Sequence, residues 1–361
     1  MTNKNPTIDV AKGIAIILVI YGHLIEHSLA PFSQDFFQNP IFKIIYTFHM
    51  PLFVFISGYL MFGSLTRNSV KDVFKSRCKS LLVPFVSLAV LVVILTYGLN
   101  LAFGKNVTFN IGGDLADQLF LKPLVWFLFS LFAFSSFVCL SFILEKRLGV
   151  IAFAVVYLLL ILLPFTSDCV LYYVKWFYLF YVAGYFYNRY NIQIKNSVVR
   201  TIMLTISLVI FTMLVSYWTK DDFIYVNKLH FITGHYFEGF LRLIYRYILG
   251  FLGILIAFYL ASFMAKTKTA LLMGFIGVYS LDIYIIQMFL VEGIYPRFIY
   301  KYNIQLDFNS PLVIGIIAPL LTIFFVGACF YISKFLIRRI PILNTIFLGG
   351  RTEQNKIVAK V

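Results

Sequence analysis

Long apolar stretches alternate with short polar segments along the whole chain. Windows of about 20 apolar residues, the length that an α-helix needs to cross the hydrocarbon core of a bilayer, recur about ten times. We predict spans over 8–27, 41–63, 81–103, 124–144, 149–165, 171–187, 199–218, 241–264, 270–291 and 312–337. The pattern therefore predicts an all-α polytopic membrane protein.

The charges between these stretches predict how the chain is oriented. Alternate connections are rich in lysine and arginine, whereas the connections on the opposite side hold mainly aspartates. Basic residues on one side are Arg67, Lys71, Lys75, Arg77, Lys79, Lys146, Arg147, Arg189, Lys195, Arg200, Lys266 and Lys268, and the C-terminal part adds Lys334, Arg338, Arg339, Arg351, Lys356 and Lys360. Because basic loops stay in the cytoplasm, we predict about ten spans with both termini cytoplasmic.

Composition supports the same class and excludes others. Of the 361 residues, 61% are hydrophobic and only 12% are charged, which leaves no room for a sizeable soluble domain. We therefore expect a single transmembrane domain over 1–340 and a basic cytoplasmic tail over 341–361. The net charge of +15 is explained by orientation and by anionic lipid headgroups rather than by nucleic acid. The four cysteines have no CxxC spacing, so they suggest neither a zinc site nor a disulfide framework.

The first predicted span, IDVAKGIAIILVIYGHLIE, carries polar groups that are costly inside a membrane. Lys12 and His23 are eleven residues apart, so on a helix they lie within roughly 20° of one face and about 16 Å apart along the axis. Asp9 and Glu26 extend this stripe by one turn at each end. The acid and lysine before the apolar run, and the histidine within it, favour an uncleaved span over a signal peptide.

The second predicted span carries another histidine, His49. If the first two spans are antiparallel neighbours, His23 and His49 lie at similar depth. A single histidine on an apolar helix is usually a hydrogen-bonded structural residue, but two at matching depth favour a functional pair.

Two further segments carry candidate chemistry. The basic run before the third span, with Arg77 and Lys79, is explained either by topology alone or by a site for phosphate groups. The long connection over 219–240 holds His230, His235 and Glu238 without HExxH spacing, so we expect no metal site there.

Several motifs resemble a known family. They are DxxKG followed by a histidine in the first span, YTFHMPLFVFISGYL in the second, the basic run ending in LLVPF, PLVWFLFSLF at 123–132 and GVYSLDIYIIQ at 277–287. Together they resemble the membrane-bound acyltransferase family 3, in the branch of fucose 4-O-acetylase-like proteins.

The resemblance implies an O-acetyltransferase in the inner (plasma) membrane of a bacterium. Such an enzyme moves an acetyl or similar acyl group from cytoplasmic acetyl-CoA to a hydroxyl of a glycan or lipid-linked saccharide of the cell envelope, with no metal. Its basic residue eleven positions before a histidine corresponds to Lys12 and His23. Only Arg77 of an arginine pair is kept, with Ser80 at the second position. Gln287 stands where relatives often carry histidine.

These residues suggest a division of labour. Lys12, Arg77 and Lys79, with Asp9, would hold the phosphates of coenzyme A. His23 would act as a general base oriented by Glu26, and His49 would position the acceptor or polarise the carbonyl. An acyl-histidine step stays open. Weaker candidates for positioning the acceptor are Trp126, Tyr284 and Gln287.

Two other classes remain open from the sequence. A transporter or flippase of lipid-linked saccharide would also carry charges in its spans, although no pair of broken segments recurs in the two halves. A non-catalytic membrane assembly protein would make the histidines structural. The sequence also leaves the oligomeric state open.

Overall fold

The computed structural model of the chain describes residues 5–32, 35–102, 108–121, 124–163, 169–192, 196–224, 236–308 and 310–350. Within these ranges the regular structure is helical and contains no β-strand. The first helices are α1 (Pro6–Leu29), α2 (Pro40–Arg67), α3 (Val70–Arg77), α4 (Val83–Ala102), α5 (Ile111–Ala116), α6 (Trp126–Leu148) and α7 (Ile151–Leu162). The remaining helices are α8 (Leu171–Arg189), α9 (Ser197–Val215), α10 (Tyr236–Met264), α11 (Ala270–Val278), α12 (Ser280–Phe289), α13 (Tyr295–Lys301), α14 (Ala318–Ile332) and α15 (Pro341–Leu348).

The prediction of an all-α polytopic membrane protein is confirmed. Among the described residues, seven helices are individually long and apolar enough to cross a membrane. An eighth span results if α11 and the helical segment Ser280–Lys301 are counted together, although they bend by 65° at Tyr279. The predicted fifth and sixth spans are helical but do not qualify, because α7 has 12 residues and α8 contains tyrosines and Lys175.

The chain divides into two compact units, which are described separately. The first comprises Met1–Tyr59 and Ala183–Phe330, and the second comprises Leu60–Val182 and Tyr331–Val361. In the second unit, α6 packs against α7, and α15 packs against α4. The segment predicted as a tail therefore begins with a packed helix, and its residues 351–361 lie outside the described ranges.

In the first unit, α1 packs along α11 with the backbones in close approach. A Cβ atom on Gly277 would overlap the carbonyl oxygen of Asp9, and one on Gly13 would overlap the carbonyl oxygen of Met273. Small residues at such positions let membrane helices approach closely. The N-terminal half of α1, with its polar stripe, is thus fixed against the broken span.

Candidate functional site

His23 lies between two carboxylates near the C-terminal end of α1. Its Nε2 atom is 3.2 Å from Oε1 of Glu292, and its Nδ1 atom is 3.5 Å from Oε2 of Glu26. The three side chains are only about a fifth exposed (16–23%). A positive charge that develops on this imidazole is therefore stabilised on both sides.

The Tyr46 side chain of α2 connects His23 to Glu26. Its hydroxyl donates to Oε2 of Glu26 at 2.7 Å, and the hydroxyl oxygen of Tyr46 lies 3.2 Å from Nδ1 of His23. Because the hydroxyl hydrogen is used in the hydrogen bond to the carboxylate, the tyrosine oxygen is the acceptor towards His23, and Nδ1 carries the proton. Nε2 is then the nitrogen that can take a proton, and Oε1 of Glu292, 3.2 Å away, stabilises the ring once Nε2 is protonated.

Two neighbours fix the Tyr46 ring. Phe42, one turn earlier on α2, stacks on it with ring centroids 3.9 Å apart. On the α1 side the ring lies over Gly22, where a Cβ atom would come within 2.8 Å of Cε2 of Tyr46. The glycine directly before His23 therefore makes room for the side chain that orients His23.

His49 is buried (4% exposed) and also contacts Tyr46, with ring centroids 4.7 Å apart. Its Nδ1 atom is 2.7 Å from the carbonyl oxygen of Ile45. A carbonyl can only accept, so Nδ1 carries the proton and Nε2 is the acceptor in the neutral ring. Tyr46 thus links His23 and His49, the two histidines that the sequence predicted to lie at similar depth.

Glu292 is positioned by a π-helical turn over Leu290–Ile294, in which the N–H of Tyr295 donates to the carbonyl of Leu290. Such turns occur frequently at functional sites. Nε2 of the fully buried Gln287 donates to Oε1 of Glu292 at 3.2 Å. Gln287 therefore holds the carboxylate that faces His23.

The polar stripe of α1 forms as predicted, because α1 is one continuous helix from Pro6 to Leu29. Nζ of Lys12 is 2.6 Å from Oδ1 of Asp9, and both side chains are about a fifth exposed. At 1.5 Å per residue, Lys12 and His23 are separated by about 16 Å along the helix axis.

Other predicted site residues have different surroundings. Tyr284 is buried in α12. In the second unit, Nη2 of Arg77 lies 3.5 Å from Oγ of Ser64, Lys79 belongs to a π-helical turn, and the Trp126 ring stacks on Tyr173 at 4.4 Å. His230 and His235 lie outside the described residues.

Three residues close to His23, namely Glu292, Tyr46 and His27, were not predicted as site residues from the sequence. Glu292 lies one residue beyond the predicted ninth span, and Tyr46 is one of 24 tyrosines. His27 lies one turn after His23, and the two rings stack with centroids 5.8 Å apart. The signal for His27 in the sequence is the HLIEH spacing over 23–27, which differs from both HExxH and CxxC.

Comparisons with known proteins identify the family. Two curated relatives, both named nodulation protein NolL, come from Sinorhizobium fredii and Mesorhizobium japonicum. Each is 44% identical over 84 residues, which is 23% of this chain and 23% or 22% of the relative, so the match spans less than a quarter of either relative. No solved structure matches. The model of the acyltransferase 3 family, described as an acyltransferase domain, matches residues 5–337. The chain therefore belongs to the acyltransferase 3 family.

Proposed function

We propose that this protein is a membrane O-acyltransferase that uses acyl-CoA, with acetyl-CoA as the expected donor. The acceptor is a hydroxyl of a cell-envelope or exported glycan, or of its lipid-linked precursor, and the location is the plasma membrane of a bacterium. The observation that carries the proposal is the His23 cluster, in which an oriented imidazole lies between Glu26 and Glu292 inside a membrane helix.

His23 suits the role of general base. With Nδ1 donating to the Tyr46 oxygen, the lone pair of Nε2 takes the proton of the acceptor hydroxyl as that oxygen attacks the thioester carbonyl. An ester forms and the carbon–sulfur bond breaks. The proton on Nε2 then passes to the departing thiolate, which leaves as coenzyme A. The bonds and the proton of this transfer balance without a metal ion.

The neighbouring groups support this cycle in different ways. Glu26, acting partly through Tyr46, keeps Nδ1 protonated and holds the ring in one orientation, as the aspartate does in a catalytic triad. Glu292 stabilises the imidazolium that forms after proton transfer. The acceptor oxygen would enter beside Nε2, where the Glu292 carboxylate lies 3.2 Å away. His49 offers its Nε2 as a hydrogen-bond acceptor for another hydroxyl of the acceptor, since the reacting hydroxyl gives its single proton to His23.

Lys12 is the donor-side candidate within the same helix. Its ammonium group would pair with a phosphate of coenzyme A in exchange for part of its contact with Asp9. The flexible pantetheine arm can cover the separation of about 16 Å between Lys12 and His23. Arg77 and Lys79 stay predicted phosphate contacts, on the basic run before the third predicted span and on the family resemblance.

The test is transfer by purified protein supplied with labelled acetyl-CoA. His23→Ala should abolish coenzyme A release while acetyl-CoA still binds. His27→Ala, the same substitution one turn later on α1, is the matched control and should retain turnover. Full turnover by His23→Ala would refute the base assignment. Mass spectrometry of glycans from cells with and without the protein identifies the acceptor, and identical acetylation would contradict the proposed acceptor class.

A further inference from the structure

His23, Glu26 and His27 form a compact set of metal-binding side chains. Each offers one ligand atom, and these atoms all lie within 4.8 Å of one another. The two histidines are four residues apart on one helical face, and their rings are nearly parallel, with an interplanar angle of 17°. Histidines at this spacing bind zinc in proteins that carry HExxH or HxxEH sequences.

The distances suit a small divalent ion. Ligand atoms 2.0–2.1 Å from a tetrahedral zinc ion are about 3.3 Å from one another. Nδ1 of His23 and Oε2 of Glu26 are already 3.5 Å apart. Two imidazoles with a carboxylate are ligands that zinc and neighbouring transition metals accept, whereas calcium and magnesium prefer oxygen ligands.

His27 supplies a second, independent observation. Its Nε2 atom is buried and has no hydrogen-bond partner among the described residues. A buried polar atom without a partner is unfavourable because it has lost its hydrogen bonds to water, and coordination of an ion would satisfy it. His27 has no part in the proposed acyl transfer, so that reaction does not explain its position.

We propose that His23, Glu26 and His27 bind a divalent transition-metal ion of the zinc class, and that the bound ion inhibits acyl transfer. Inhibition follows from the chemistry of imidazole and rests on the proposed function. A neutral imidazole has one lone pair. Whichever nitrogen of His23 binds the ion, that lone pair is used, and the ring can no longer take a proton from an acceptor hydroxyl. The ion is therefore a competitor of the reaction and not its cofactor.

Metal binding is measured first, without reference to activity. Detergent-purified full-length protein, stripped with a chelator, is titrated with Zn²⁺ against a chromophoric competitor. Wild type should bind one ion with an affinity that falls about 100-fold or more in His27→Ala, beyond the 10–100-fold typical of outer-shell partners. His27→Gln serves as a second variant if the alanine variant does not fold. Co²⁺ should give a tetrahedral spectrum without thiolate bands, which separates this site from the four cysteines.

Assays of acyl transfer then test whether the bound ion inhibits the reaction. Zn²⁺ should stop wild-type turnover, excess chelator should restore it, and His27→Ala should turn over with or without Zn²⁺. Equal zinc affinity in wild type and both His27 variants would overturn the site. Tight His27-dependent binding with undiminished turnover would overturn the inhibition. If wild type transfers no acyl group at all, the proposed function fails while the titration still decides whether the site exists.

Discussion

Removal of the Tyr46 hydroxyl tests whether the orientation of His23 matters. In Tyr46→Phe the ring can keep its stacking with Phe42, while Oε2 of Glu26 loses its donor at 2.7 Å and Nδ1 of His23 loses its acceptor at 3.2 Å. The ring of His23 is then free to rotate or to change tautomer. We expect turnover to fall, although the variant keeps both His23, the proposed base, and Lys12, the proposed contact of acetyl-CoA.

The size of the effect follows from the two lost contacts. A hydrogen bond to a charged group contributes about 1.5–3 kcal/mol. Of the two contacts, only the one from Nδ1 of His23 strengthens when His23 becomes charged in the transition state, so kcat falls roughly 10–150-fold, because each 1.36 kcal/mol is a factor of ten in rate. The KM for acetyl-CoA should stay unchanged, since Tyr46 contacts His23, which lies about 16 Å along α1 from Lys12.

The assay is the steady-state rate of coenzyme A release at saturating acceptor, with the midpoint of thermal unfolding recorded in parallel. Tyr21→Phe is the matched control, because its hydroxyl donates to the backbone carbonyl of Ile314 at 3.1 Å and not to a charged group. We expect this control to retain kcat within about threefold. A kcat of Tyr46→Phe within twofold of wild type, in folded protein, would refute the role of Tyr46.

Three further predictions concern other parts of the site. Glu292→Gln, which keeps the shape but removes the charge beside the base, should lower kcat by about 100-fold at unchanged donor KM, and a wild-type kcat would contradict the role of Glu292. Gly277→Ala should lower the midpoint of thermal unfolding, because overpacking against Asp9 reduces the free energy of unfolding by about 1–3 kcal/mol. Gly274→Ala is the control and should not lower the midpoint, since its Cβ would lie 3.9 Å from Asp9. Equal midpoints in the two variants would refute the close approach. Lys12→Ala should raise the Kd for acetyl-CoA about tenfold by calorimetry, and an unchanged Kd would leave Lys12 as a partner of Asp9 alone.

Much of the fold was predictable because the bilayer imposes one simple rule. Apolar windows of about 20 residues locate the helices, and the continuity of α1 made the spacing of Lys12 and His23 meaningful. The same rule predicts ten spans, whereas seven or eight helical segments among the described residues are long and apolar enough to cross a membrane. The windows do not distinguish a full crossing from the shorter α7 or from the bend at Tyr279, because the apolar character continues through both.

The site was predictable only where the polar residue stood out from an apolar background. His23, Glu26 and His49 did so, and they surround Tyr46. Tyr46 did not stand out, because tyrosine is common throughout this chain and its partners depend on how α1 packs against its neighbours. Gln287 also stands out in its motif, but its contact with Glu292 depends on a local departure from α-helical geometry.

The position of Glu292 depends on the number of residues in the π-helical turn over Leu290–Ile294, and hydropathy does not reveal this dependence. In such a turn the backbone bonds join residues five apart, so residues with this spacing lie closer to one face than in an α-helix, and Gln287 reaches Glu292. Deleting Leu290 or Val291, which precede Glu292 in the turn, would restore ordinary α-helical winding and rotate Glu292 by about 100° about the helix axis, away from His23. The shortened segment would still insert as an apolar helix. A one-residue gap at this place in an otherwise well-aligned homologue would therefore mark the loss of the second carboxylate, even where glutamate itself is retained.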